Sequence, residues 1–277
     1  KISGRCHEGA DGMNLFVREL NSYKKGLFFW CLGMVALVGS GMAKYAAYSG
    51  GGQSISDLIA QFPASVQTIF GLTGFDLNKA SGYFGVLFAY IALMATIQAV
   101  LLGSDIISKE ERDRTSEFLF VKPISRSKVI TAKLVAGLVN VVVLNLVTLG
   151  SSLYFIPYFS KGDSFTADVV VLMAGLLMLQ LLFFSIGTAV AAWVTRPKRA
   201  ASMANSVLLV AFILTYLVNI NQQLDWLKYL TPFKYFDAKN VLADGRLDPL
   251  YVAVSLLLML GLIVTTYRTY TRRDLSL

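Results

Sequence analysis

Charge is scarce in this chain. Asp, Glu, Lys and Arg together make up 15% of the 277 residues, against roughly 25% in a soluble domain. Inside the long apolar runs these residue types, and histidine, are nearly missing away from the ends. An intramembrane hydrolase needs a carboxylate pair, a Ser/Lys dyad or a metal held by His and carboxylate, and none of these can be assembled. Ion-coupled secondary transporters usually carry intramembrane carboxylates, so that class is disfavoured too. There is one histidine, His7, and there are two cysteines, Cys6 and Cys31, one of them within an apolar run. That excludes a disulfide framework. No GxxxxGK(S/T) phosphate loop occurs, so ATP cannot be cradled here in that way. Catalytic, metal-binding and cofactor-binding residues are therefore expected to be none, and the chain is not expected to be an enzyme.

What is abundant is apolar. Hydrophobic residues are 55% of the chain and the mean hydropathy is +0.59, which places it among integral membrane proteins. Six runs are long enough to span a bilayer, each needing about 20 residues. They are Phe28 to Ala46, Tyr83 to Leu102, Leu134 to Tyr158, Val169 to Thr195, Ser202 to Ile220 and Leu250 to Tyr267. The expected fold class is an all-α membrane protein of six helices, occupying residues 13–277 as one transmembrane domain. Residues 1–12 are polar, lack an apolar signal core and read as a leader or tail without chemistry. Leu15 to Lys25 alternates Leu15, Phe16, Leu20 and Tyr23 with Arg18, Glu19, Lys24 and Lys25, the pattern of a short helix lying in the interface. Leu58, Phe62, Val66, Ile69 and Phe70 recur at helical spacing around Pro63, which predicts one or two short helices between the first two spans.

Lys and Arg divide unevenly between alternate loops. With both termini cytoplasmic, 18 of the 25 lie inside, while the 17 acidic residues divide almost evenly. The asymmetry is in Lys and Arg alone, so it predicts both ends inside. The net charge of +8 is thus topological, and nucleic acid is not an expected partner. Polar residues within the runs are Asn140, Asn145, Gln180, Asn205, Tyr216 and Asn219. The structural reading is hydrogen bonding between helices, worth ~0.6 kcal/mol each. The functional reading makes Asn140, Asn145, Gln180, Asn205 and Asn219 candidate substrate-path residues. Gly137, Gly175, Ser185, Gly187, Ala191 and Ala192 suit close helix packing.

The densest charge cluster, Ser104 to Lys133, separates the second run from the third. Ser108 and Glu111 have capping-box spacing, which predicts a separate helix over Lys109 to Leu119. Phe118, Leu119, Phe120 and Val121 give it an apolar end, and Pro123 stops it. Aromatic side chains beside Glu and Arg suit docking into a pocket with a polar rim.

Lys109-Glu-Glu-Arg-Asp-Arg-Thr-Ser-Glu-Phe-Leu-Phe-Val-Lys-Pro-Ile-Ser-Arg126, closed by Ile130 and Lys133, resembles the cytoplasmic motif of ABC-2-type permease subunits. Thr115, Glu117, Leu119, Pro123, Ser125, Arg126 and Lys133 match it; Arg114 stands where Gly is usual, and Phe118 or Phe120 among leucines. The resemblance runs from about Met13 to Arg273 and includes Phe62-Pro63 and Thr231-Pro-Phe-Lys-Tyr-Phe236. It implies a bacterial, multi-pass subunit of the cell (plasma) membrane, paired with a second permease subunit (homo- or heterodimer) and seated among membrane lipid. ATP and magnesium would be held by a separate ABC ATPase subunit. The ATPase-coupling residues would be Glu110, Glu111, Arg114, Thr115, Glu117, Phe118, Leu119, Pro123 and Arg126. The implied activity is outward movement of an antibiotic, a peptide, a lipid-like amphiphile or an ion. The alternative is an ATPase-linked component of a sensing or envelope-maintenance complex that transports nothing. Glu110-Glu111 also suggests the Glu-Glu-x-x-x-Arg of intramembrane prenyl-protein proteases, but Thr115 occupies the Arg position. Ser49-Gly-Gly-Gly-Gln53 is similar to the signature sequence of ABC ATPases, yet without a phosphate loop it reads as a turn.

Overall fold

The computed structural model describes residues 3–50, 61–63, 67, 75–112, 125–160, 165–194, 196–220 and 222–272. Among these there is no strand. Six long helices are apolar enough to cross a membrane: α1 Ser3–Gly50, α2 Ala80–Arg112, α3 Arg126–Ser160, α4 Thr166–Trp193, α5 Pro197–Ile220 and, last in the chain, Pro249–Arg272. Between the fifth and the last lie a 3-10 segment, Gln222–Leu230, and two short helices, α6 Pro232–Tyr235 and α7 Ala238–Asp244. The last long helix is therefore α8.

The contacts fix the helix directions. Tyr45 meets Tyr83 at one end of α1 and α2, while Tyr23 reaches Asp105 at the other, so the two are antiparallel. Phe84 packs on Phe165 and Gly103 on Phe184, so α2 and α4 run parallel. Leu15 lies with Val129 and Gly39 with Phe155, which makes α1 and α3 parallel. Tyr267 meets Thr131, so α8 runs against α3. The start of α1, the end of α2, the start of α3 and the end of α8 therefore gather at one end of the bundle. That end holds Arg18, Lys109, Arg112, Arg126, Lys133 and Arg268 and is called the basic end below.

At the centre are α2 and α4. In their most apolar stretches 67% and 61% of residues are buried, against 17% in α8. α4 is apolar all round, as a helix wrapped by others must be. What joins the two is backbone contact. A Cβ added at Gly103 would stand 2.3 Å from the Phe184 carbonyl oxygen, and one at Gly187 would stand 2.4 Å from that of Val100. Each glycine thus admits the other helix's main chain. Gly137 receives the Phe184 ring, and Gly175 faces Phe236 and Leu247.

Two expectations need correction. The stretch Leu15 to Lys25 is not a separate interfacial helix: α1 is continuous through it. Nothing there breaks a helix, and Leu15, Phe16, Leu20 and Tyr23 have α2 and α3 to pack on rather than lipid headgroups. Nor does Ser108 begin a helix. It is buried inside α2, and its hydroxyl donates to the Ser104 carbonyl at 2.7 Å. Ser followed by Glu three residues on caps a helix only where the chain enters one. The outer stretch 58–70 lies mostly outside the described residues.

The connection from Gln222 to Asp248 is helical and reaches back into the bundle. Phe233 sits between Phe183, tilted at 40°, and Phe212, edge-on at 74°, and Tyr235 lies flat on Tyr251. Local chemistry sets its joints. Pro232 takes the first helical position of α6, Asp237 caps α7 through the Lys239 amide, and Gly245 at φ 64° ends α7 in the left-handed region. Burial, then the neighbouring Tyr251, pushes the Tyr235 phenol above its ordinary range.

Alanine at either central glycine forces backbone apart, an overpacking cost of about 1–3 kcal/mol. Gly187→Ala and Gly103→Ala are therefore expected to lower the thermal midpoint of the purified protein. Gly150→Ala and Gly261→Ala, whose new methyl would meet nothing within 4 Å, are expected to leave it unchanged or raise it slightly.

Candidate functional site

The basic end is held by polar contacts between helices that are otherwise apolar. On α1, Glu19 is fully buried, with the Lys109 ammonium of α2 at 3.9 Å. Lys109 also donates to the Ser22 hydroxyl and lies 5.1 Å above the Tyr23 ring. The Tyr23 hydroxyl donates to Asp105 at 3.0 Å, and Arg112 pairs with the other oxygen of that carboxylate. A single chain of contacts thus joins one turn of α1 to the last two turns of α2. Lys133 of α3 is fully buried and donates to the Ile106 carbonyl of α2 at 2.5 Å. Arg126 reaches the Thr271 carbonyl of α8 at 3.3 Å, and Thr131 bonds Tyr267 at 2.7 Å.

Several of the residues expected to couple to an ATPase are flanked by this network. The backbone of Glu110 and Glu111 belongs to the last turn of α2, and Arg126 opens α3. Arg114, Thr115, Glu117, Phe118, Leu119 and Pro123 lie outside the described residues. The segment 113–124 is nevertheless bounded on both sides by anchored helices: α2 through Asp105 and Lys109, α3 through Arg126 and Lys133.

The five candidate path residues fall in separate places. The Asn145 amide donates to the Gln180 side-chain oxygen and to the Met173 carbonyl, each at 3.1 Å, which joins α3 to α4 as a structural pair would. Asn205 is half-buried on α5, and its side-chain oxygen has no hydrogen-bond partner among the described residues. Asn219 lines a cavity of about 300 Å³ at the opposite end, with Phe88, Phe212, Tyr216, Phe233 and Lys234 around it; there Lys234 pairs with Asp237 at 3.0 Å. Asn140 lines a second cavity at the basic end. That cavity also contains Gln98, an amide within the second apolar run that the sequence reading passed over. Its position four residues before the end of the run Tyr83 to Leu102 was the available signal.

Six apolar helices and a charged end describe many membrane proteins. What narrows the class is a family model described as ABC-2 family transporter protein, which matches residues 13–275. The chain belongs to the ABC-2 transporter family. It is a multi-pass membrane protein and a transporter permease by family, and that family implies an ABC ATPase partner in general. No individual curated protein matches the chain. The match begins at Met13, just before the turn of α1 that carries Glu19, so the contacts between α1 and α2 at the basic end lie wholly within the family domain.

Removing one member of a buried ion pair costs about 3–5 kcal/mol, because the other is left without compensation. Lys109→Met is expected to destabilise the protein by an amount near the lower figure, since Lys109 is partly solvated. Adding Glu19→Gln should recover most of the loss. Thermal unfolding of the two single variants and the double variant measures this coupling, and a double variant no better than Lys109→Met would remove Glu19 from the account.

Proposed function

We propose that this chain is the membrane-spanning subunit of an ATP-driven exporter of the bacterial plasma membrane, with its basic end in the cytoplasm. The Lys/Arg distribution supports that orientation. ATP and magnesium bind the partner ATPase, and the chain itself performs no catalysis. The observation that carries the reading is the anchoring of α2 and α3 on either side of residues 113–124. A segment that takes up motion from a partner must pass it to its flanking helices without slack, and buried ionic and hydrogen-bonded contacts do that. ATP-driven closure of the ATPase pair would press on this segment, and α2 would carry the displacement to α4 through the Gly103–Gly187 contact. Two such permease subunits would form the path between them. The cargo is an amphiphile, a peptide, an antibiotic or an ion.

Copurification tests the reading. The intact chain is expected to bring down an ABC ATPase. Glu117→Lys and Phe118→Ala are each expected to reduce recovery about ten-fold or more, as loss of an interface anchor does, with unchanged thermal stability of the membrane domain. Normal recovery and ATP turnover with both variants would show that 113–124 is not the coupling segment. Normal coupling without vectorial movement of any cargo in vesicles would favour the sensing alternative.

A further inference from the structure

The basic-end cavity holds about 250 Å³ and is lined by Tyr23 and Trp30 of α1, Gln98 and Asp105 of α2, Asn140 of α3 and Ala201 of α5. It exists because α1 and α5 both pack on α2 but scarcely on each other. Gln98 is 4% exposed. Its side-chain oxygen is covered and has no hydrogen-bond partner among the described residues, while its amide nitrogen is open to the cavity. The Trp30 indole N–H is a second open donor. Asn140 gives one amide hydrogen to the Ala136 carbonyl at 2.8 Å and keeps the other. Buried polar groups are normally paired, so an unpaired carboxamide at a cavity wall marks the place of a partner, and that partner must accept hydrogen bonds. It must also be uncharged. Asp105 is the one ionised side chain among the described lining residues, and its oxygens already accept from Tyr23 and Arg112. An anion would meet that carboxylate with no cation in the lining to hold it. Leu27, Leu101 and Leu102 complete the wall, so the acceptor must have apolar material behind it. Pockets for whole drug-sized ligands run from roughly 300 Å³ upward, so this one takes a linkage and its first few methylenes.

The level of the cavity narrows the acceptor further. The exposed cations Lys25 and Arg199 lie one and two residues outside Gly26 and Ala201, and Lys109 lies one turn beyond Asp105. The cavity therefore sits just inside the plane where the helices leave hydrocarbon, the level at which tryptophan is enriched. Phe28, Phe29 and Leu32 of α1 and Met203 of α5 are exposed, so the helices bordering the groove face acyl chains. In a glycerolipid the uncharged acceptors, the acyl-ester carbonyls, lie at this same plane, between the head group and the chains. We propose that this cavity binds the acyl-ester linkage of a glycerolipid of the surrounding leaflet, with the Gln98 amide and the Trp30 indole N–H donating to its carbonyl oxygens. The site does not depend on coupling to an ATPase, and binding is read in the absence of ATP and of any partner. Failure here would leave the exporter reading intact, and failure of that reading would leave this site intact.

Trp30 supplies the reporter. In a Trp193→Phe/Trp226→Phe background, both replaced residues being exposed, Trp30 is the sole tryptophan. The protein is placed in nanodiscs of dialkyl-ether phosphatidylcholine, which keeps the head group and chains but has no ester carbonyl. Chain-brominated phosphatidylcholine, either diester or diether, is added at rising mole fraction as quencher. The diester is expected to saturate the quenching at a mole fraction about five-fold lower than the diether, the worth of one neutral hydrogen bond. Gln98→Leu is expected to cut that preference to less than half its value. Because Gln98 makes no hydrogen bond among the described residues, the thermal midpoint of Gln98→Leu should match or exceed that of the unaltered protein, so loss of preference is not loss of fold. Equal quenching by diester and diether, or a preference unchanged in Gln98→Leu, would overturn the proposal. Saturable quenching by a brominated fatty-acid methyl ester, with no preference for the diester lipid, would overturn the assignment to the leaflet.

Discussion

Two backbones in contact set the rest of this structure. In a bilayer the lipid tails are as apolar as leucine, so helices do not associate to escape water; they associate by close packing and by hydrogen bonds. Gly103 and Gly187 let α2 and α4 approach until the main chain of each limits the other. From that contact the neighbours follow. α4 must be apolar on every side because α2, α3, α5 and α8 all lie on it, and α2 must accept α1 and α5 on its remaining faces. The groove between α1 and α5, with its cavity over Gln98, is the remainder of this arrangement.

The basic end obeys a different physics. There the helices leave hydrocarbon, and they are held by ionic and hydrogen-bonded contacts, of which those of Glu19 and Lys133 are buried. Glu19 is the clearest case, a carboxylate without exposure whose ion-pair partner is the Lys109 ammonium. Buried pairs of this sort do little for net stability but fix one arrangement against its alternatives. Placed on both sides of 113–124, the polar contacts tie α1, α2 and α3 together at that end. The glycine contact and the ionic contacts are thus complementary, one setting how near the central helices lie and the other how the end of the bundle is tied.

Much of this was legible in the chain. Six spans could be read because charge is absent from apolar runs of sufficient length, and hydrocarbon tolerates little else. Gly187 could be singled out as a packing residue, but its counterpart Gly103 could not, because a glycine's partner is a tertiary fact. The two misread helix boundaries share one cause. Polarity marks where a helix leaves the membrane, whereas only a breaker or a cap marks where it ends. α1 and α2 run on past their apolar stretches because neither Leu15–Lys25 nor Leu102–Arg112 contains such a signal in effective position. The stretch between Gln222 and Asp248 reads in the sequence only as a longer loop; its short helices, with Pro232 and Asp237 at their starts, and the insertion of Phe233 between Phe183 and Phe212 appear only in the structure. Gln98 was hidden by its ordinary appearance, one amide in an apolar helix, until its surroundings showed that its oxygen has no partner.

The proposed coupling has α1, α2 and α3 move as one body at the basic end, so that α1 and α3 keep their separation there while α5 shifts against α1. Spin labels at Lys25 of α1, Ser127 of α3 and Arg199 of α5, all exposed, measure this directly in the reconstituted complex with its ATPase. Trapping the ATP-bound state is expected to leave the Lys25–Ser127 distance unchanged and to shift the Lys25–Arg199 distance. A shift between Lys25 and Ser127 with Lys25–Arg199 fixed would contradict it.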